Sequence, residues 1–444
     1  MTPPLSRRPA IRWELLERHL EEAEFLWTQW ERGLWDSALT LEDVAGGDEG
    51  RLHAHLDALV VAGAPAAQRF LLPALESEEP ALVAASAWTL LAAEDSNWRG
   101  HLLQRMEDAP EAIAPGVLRA LELSGRTEFQ AWVLQVLPRQ APALQAGLLR
   151  VLRLQHVSAS AVLGGLDVEA EPALHAEALR AAAFAPGTVA DTLLARGLEH
   201  TLPAVRDAAL ETGLLLGSRA AWEQARRRAT SREPVPRAAL LALAVAGESR
   251  DSQTLVGRLA DPEAREEVLW ALGFSGRLAA AEALLPLLQD ESLGALAAES
   301  FAAITGLPLA PPHLLPEPPP EDEEEEPETP VEDLRELLPR PLAPPGRVDG
   351  KAVERWWTSV RGGFAAEGRY LRGALLTVDR LASALEGESM RRRPGLAWEL
   401  AMRSGGALCV ETRLWTSAQR QQARALASLR PEVLTRGWSR LVSR

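Results

Sequence analysis

Pro203-Ala204-Val205-Arg206-Asp207-Ala208-Ala209-Leu210 returns in the same form as Pro262-Glu263-Ala264-Arg265-Glu266-Glu267-Val268-Leu269. Each stretch opens on a proline and runs into an apolar segment. They belong to a longer ladder. Pro80, Pro110, Pro142, Pro172, Pro203, Pro234 and Pro262 follow one another at 30, 32, 30, 31, 31 and 28 residues. A second ladder, Gly217, Gly247, Gly276 and Gly306, keeps spacings of 30, 29 and 30. Proline fits the first turn of a helix because the N–H it lacks has no partner there. Glycine fits just past a helix end, where the chain turns through a left-handed conformation. The two ladders therefore bracket a helix of about three turns in each period. The remaining half, such as Ala281-Glu282-Ala283-Leu284-Leu285-Pro286-Leu287-Leu288, supplies a partner helix. Gly247 is expected to be one of the left-handed stops.

A helix pair of this size cannot bury its apolar face alone, so successive pairs must stack. The expected fold class is all-α, an α-solenoid of about eight pairs of ~30 residues across residues 64–307. Composition agrees. Apolar residues make up 47% of the 444, yet there is one Tyr and there are seven Phe, which disfavours strands. Trp is the exception, at fourteen, with Trp13, Trp27, Trp30 and Trp35 close together.

The flanks divide by charge. Residues 1–63 carry two amphipathic stretches, 9–32 and 48–62, and are expected to form an N-terminal helical cap. The tryptophans there also suggest a docking surface. Residues 308–348 hold 11 acidic and 3 basic side chains, with Pro316 to Pro320 and the run Glu321-Asp322-Glu323-Glu324-Glu325-Glu326, and read as an acidic linker. In residues 349–444 helical periodicity returns with 17 basic against 9 acidic residues, +8 in a chain of net charge −15. Helical hairpins are expected here, and the sign of this region suits an acidic partner, including the chain's own array or linker.

The repeats resemble short HEAT repeats, including the variety first noted in phycobilisome lyases. The shared features are Asp261-Pro262, Val205-Arg206 and Ala271-Leu272-Gly273. Val83, Ile113, Gln145 and His175 stand where later repeats have Arg206, Arg237 and Arg265, so an arginine ladder is expected only beyond residue 200. The flanks carry a second resemblance, in Phe25-Leu26-Trp27, Leu52-His53-Ala54-His55-Leu56-Asp57-Ala58-Leu59, Ala303-Ile304-Thr305-Gly306 and Arg369-Tyr370-Leu371-Arg372-Gly373. Together they look like a proteobacterial HEAT-repeat family of myxobacteria and pseudomonads, associated with type VI secretion gene neighbourhoods. What that resemblance implies is an accessory, non-catalytic role.

Chemistry is hard to find along the chain. There is no phosphate-binding glycine loop or dinucleotide fingerprint, so no cofactor is expected. His53 and His55 sit two apart, on different sides of a helix, whereas helical zinc sites want i, i+3 or i, i+4. The remaining histidines, 175 and 200 among them, are scattered, so no metal site is expected. Cys409 is the single cysteine. The candidate partner-binding residues are Arg391, Arg392 and Arg393 with Trp356 and Trp357, basic and aromatic side chains in the positive region. No apolar run approaches the ~20 residues of a membrane span. The start of the chain lacks the apolar core of a signal peptide, and a cytoplasmic location is expected. The reading is a protein-binding scaffold or adaptor rather than an enzyme. A nucleic-acid-binding HEAT protein is the alternative, opposed by an array of net charge −9 (21 basic, 30 acidic). A lyase-like protein acting on a cofactor-bearing partner is the third.

Overall fold

The computed structural model describes residues 11–93, 98–109, 111–185, 187–231, 234–315 and 347–428. The expectation about Pro110 and most of that about the acidic linker, residues 316–346, lie outside them. Within the described residues the chain is all-α apart from one short hairpin, Tyr370–Leu371 paired antiparallel with Ala374–Leu375, and an isolated bridge between Leu314 and Val348. No described helix is long and apolar enough to cross a membrane.

The proline ladder marks helix starts in two ways. Pro80, Pro142, Pro172 and Pro203 are each the first residue of a helix: Pro80–Ala92, Pro142–Leu154, Pro172–Ala182 and Pro203–Leu215. Pro234 and Pro262 stand three residues upstream, before Arg237–Ala246 and Arg265–Leu272. Each first helix packs on the next first helix, from Pro80–Ala92 through Ala114–Ser124, Pro142–Leu154, Pro172–Ala182, Pro203–Leu215, Arg237–Ala246 and Arg265–Leu272 to Gly294–Thr305. Their contact faces are built from Ala and Leu with almost no exposure, as at Val205, Ala208, Ala209 and Leu210. Small residues let the helices approach closely. A Cβ on Gly147 would lie 2.3 Å from Leu118 Cδ1, and one on Gly213 would lie 2.5 Å from Ala221 Cβ.

The glycine ladder holds for Gly217, Gly276 and Gly306, all at positive φ, but Gly247 departs from it. Gly247 has φ −68° and ψ 158°, which is ordinary extended backbone, so it is not a left-handed stop. What demands glycine is space, because a Cβ there would sit 2.2 Å from the Leu243 carbonyl oxygen and 2.7 Å from Asp251 Cβ. Gly276 and Gly306 serve a second purpose besides ending helices. The hairpin lies against them, with Tyr370 N–H donating to Gly276 O at 2.7 Å and Gly373 N–H to Ile304 O at 3.0 Å. A Cβ on Gly306 would meet Arg372 O at 2.7 Å.

The flanking helices Trp13–Gly33 and Gly50–Ala62 pack on each other and on Pro80–Ala92. Beyond residue 346 come Gly350–Val360, Val378–Gly387, Arg393–Arg403 and Thr416–Ala423. These last helices do not form a core of their own. Val353, Leu381, Leu396, Leu400 and Met402 are buried in one continuous apolar cluster with the later half of the array. A second cluster runs through the earlier half, and the two divide along the Pro172–Ala182 helix, which gives Ala176 and Leu179 to one and Leu174 and Ala178 to the other.

Candidate functional site

The basic region, residues 347–428, lies across first helices such as Pro203–Leu215 and Arg237–Ala246 and reaches the N-terminal pair at Trp30. Its arginines enter the interior with it. Arg391, Arg392 and Arg393 are 2%, 1% and 1% exposed, so the run that suggested a solvent-facing basic patch is instead part of the core. The bend ahead of the Arg393–Arg403 helix points them inward. Met390 N–H donates to Leu39 O at 2.8 Å and Arg391 N–H to Asp36 O at 3.1 Å, which ties this bend to the loop after the first helix.

Each guanidinium then finds a partner within the chain. Arg391 forms an ion pair with Glu299 and Arg392 donates to Gly273 O at 3.0 Å, both from the face of the array. Trp270 lies beneath both, with their guanidinium carbons 5.3 Å and 5.1 Å from its ring centre, near enough for cation–π attraction. Arg393 donates to Leu385 O and to Gln419 Oε1, each at 2.6 Å. Burial pulls all three guanidiniums down to about 10, which still leaves them charged at neutral pH. Of the two candidate tryptophans, Trp357 is buried with its ring 5.3 Å from Phe301, and Trp356 is half-buried between His313 and Phe301. All five candidates thus meet residues of this chain.

Sequence reasoning missed the carboxylates that receive these cations. Glu399 accepts from Arg369 Nη1 at 2.6 Å and from Arg403 Nε at 2.8 Å, while Arg403 also donates to Val245 O. Farther along, Arg119 bridges Glu31 at 2.5 Å and Glu122 at 2.9 Å and donates to Arg413 O at 2.6 Å. Burial alone would raise Glu122, but Arg150, Arg119 and Arg413 hold it down at about 2. A signal was present: Glu122 sits between Leu121 and Leu123, and Glu299 follows Leu296-Ala297-Ala298, carboxylates inside apolar runs. A buried acid must be paired, so each such position announces a cation elsewhere.

The tryptophans of the first helix also receive a residue of this chain. Trp415 packs 4.3 Å from Trp30 and 5.8 Å from Trp27 between ring centres, and Trp88 and His53 close the cluster. Next to it Glu49 accepts from Trp30 Nε1 at 2.9 Å and from Thr416 Oγ1 at 2.5 Å. A cleft of about 430 Å³ remains at this junction, lined by Glu122, Gln155, His156, Cys409, Trp415 and Gln422. Burial pushes the Cys409 thiol up to about 12, so at neutral pH it is protonated and a poor nucleophile.

No family model and no curated protein matches this chain.

The histidines behave less uniformly than their scatter suggested. His53 and His55 do lie on different sides of their helix, His53 against Trp415 and His55 with its Nδ1 3.1 Å from that of His19. His175 and His200, which looked isolated, have ring centres 5.0 Å apart. The arginine ladder is uneven too: Arg206 donates to His200 O and Thr201 O, Arg265 to Leu259 O, and Arg237 pairs with Glu267 of the next first helix.

Proposed function

We propose that this chain is a non-catalytic, protein-binding scaffold of the HEAT-like α-solenoid type, an accessory of a type VI secretion apparatus. The single observation that supports the solenoid reading most is the unbroken succession of first helix on first helix from Pro80–Ala92 to Gly294–Thr305. Such arrays offer long surfaces that suit protein partners more than small ligands. Because residues 349–428 lie over the first helices, a partner is expected on the second helices, such as Arg219–Thr230, whose Arg219 and Glu223 side chains are 75% and 59% exposed. The secretion link rests on the family resemblance of the flanking motifs.

A photo-crosslinking residue placed at Arg219, in the chromosomal copy of the full chain, tests this in the native organism. Capture of a secretion-apparatus component at Arg219, but not from the buried position Leu210, supports the proposal. Unchanged secretion after deletion of the gene, together with no capture of such a component, overturns it. A fluorescent DNA duplex at low salt addresses the nucleic-acid reading, and tight salt-sensitive binding would replace the scaffold by that alternative.

A further inference from the structure

The repeat pattern breaks at one place in a way that assembles ligands. In later pairs the fourth residue of the motif is Arg206 or Arg265, which closes the preceding turn by donating to its carbonyls: Arg206 Nη1 to His200 O at 2.9 Å, and Arg265 Nε to Leu259 O at 2.7 Å. On the Pro172–Ala182 helix that position is His175. Its ring faces two groups from neighbouring segments, Glu169 on the short Val168–Ala170 turn and His200 just beyond the Thr188–Leu198 helix. His175 Nδ1 lies 3.6 Å from Glu169 Oε1, and His200 Nε2 lies 3.6 Å from Glu169 Oε2. One ligand atom from each of the three falls within 4.8 Å of the others.

We propose that Glu169, His175 and His200 bind a divalent transition-metal ion of the zinc class.

The separations favour an ion over direct hydrogen bonds. At 3.6 Å the carboxylate is beyond hydrogen-bond range of both rings. A tetrahedral zinc with ligand bonds near 2.0–2.1 Å holds its ligand atoms roughly 3.3 Å apart, so the three ligand atoms, now within 4.8 Å of one another, would draw together around an ion. His175 is 2% exposed, and its Nε2 has no hydrogen-bond partner. A neutral imidazole with its proton on Nε2 leaves the Nδ1 lone pair, turned toward Glu169, as the donor to an ion. Two imidazoles and one carboxylate select zinc-like ions over magnesium or calcium, which prefer oxygen. The Glu169 side chain is 65% exposed, which leaves an entry path and a fourth position for water. His200 Nδ1 accepts the Leu202 N–H at 3.1 Å. Loading moves the ring proton from Nε2 to Nδ1 and hands that N–H to water, which the exposed position of Leu202 permits.

The ion would join a turn, a first helix and the end of a second helix where the apolar core divides in two. Binding to the folded chain alone raises its stability. The full chain, stripped with a chelator, is titrated with zinc sulfate by calorimetry and melted with and without the ion, with cobalt(II) absorption as an independent readout. One equivalent of zinc should bind and raise the Tm, and cobalt should give the intense visible bands of a tetrahedral site. Glu169→Gln changes a side chain that is 65% exposed, so it should keep the melting temperature of the stripped chain, and circular dichroism of His200→Ala should show the wild type's helix content. Each should weaken zinc by more than roughly tenfold. His19→Ala, at the other close histidine pair, should leave binding unchanged. Absence of one-equivalent binding overturns the proposal, as does binding that survives Glu169→Gln and His200→Ala or that is lost with His19→Ala.

Discussion

Two interiors meet in this molecule. Within the array, the Pro203–Leu215 helix reaches its neighbours through Val205, Ala208, Ala209 and Leu210, all nearly waterless and all apolar. Where residues 349–428 cover the same row of helices, apolar contact is joined by the buried side chains of Arg391, Arg392, Arg403, Glu299 and Glu399. Apolar burial is non-directional and scales with area, so it holds helices together while leaving their register to shape. Buried charges work differently. Their desolvation cancels most of their attraction, but a lone one is heavily penalised, so each cation must find a carboxylate, carbonyl or amide oxygen aimed at it. The array is held by area, and the covering region is held in place by pairing.

Breaking one partner of the charged junction should have the largest effect. Glu299→Ala removes the carboxylate that faces both Arg391 and Arg392 in the core and is expected to cost about 3–5 kcal/mol in urea unfolding. Proteolysis should then release residues 349–428 before the array is cut. An equal loss of protection in both parts would erase the distinction between the two interiors.

Acid should weaken the other charged cluster next. Glu122 is held at about 2, below its ordinary 4.5, so its contribution is complete above the ordinary value and disappears as pH falls toward 2. The loss is on the order of 3 kcal/mol. Urea midpoints measured between pH 5 and 2.5 should fall in the wild type and much less in a Glu122→Gln variant.

Overpacking tests the apolar side. Gly247→Ala places a methyl group against the Leu243 carbonyl and should cost about 1–3 kcal/mol. Because the cause is steric, the loss should not change with salt; a salt-dependent loss would put the charged network at Gly247 too.

The smallest effect is expected at the rim. Arg420 pairs with Glu42 and Glu386 at partly exposed positions. Arg420→Ala should therefore cost about 0–1 kcal/mol, and less at high salt. A cost equal to that of Glu299→Ala would show that exposure does not separate the two kinds of pair.

The helix pairs were legible because their signals are local. Pro80, Pro142, Pro172 and Pro203 act on their own first turns, and Gly217, Gly276 and Gly306 on the backbone beside them. Gly247 shows the limit, since its spacing matched the ladder while its reason was a clash with Asp251 and Leu243. The sign of the basic region was equally legible.

Tertiary structure alone decided where that charge went. Arg391-Arg392-Arg393 reads as a surface run until Glu299 and Gly273, about a hundred residues earlier, are brought beneath it. Glu49 and Thr416 stand 367 residues apart and share a hydrogen bond. Glu169, His175 and His200 have no helical spacing in common and meet only because a turn and two helix ends pack together. Periodicity reports which face of a helix is apolar, because that face repeats every turn. It carries no record of which distant segment will cover the face, because that choice depends on the pairing of particular buried charges and rings across the fold.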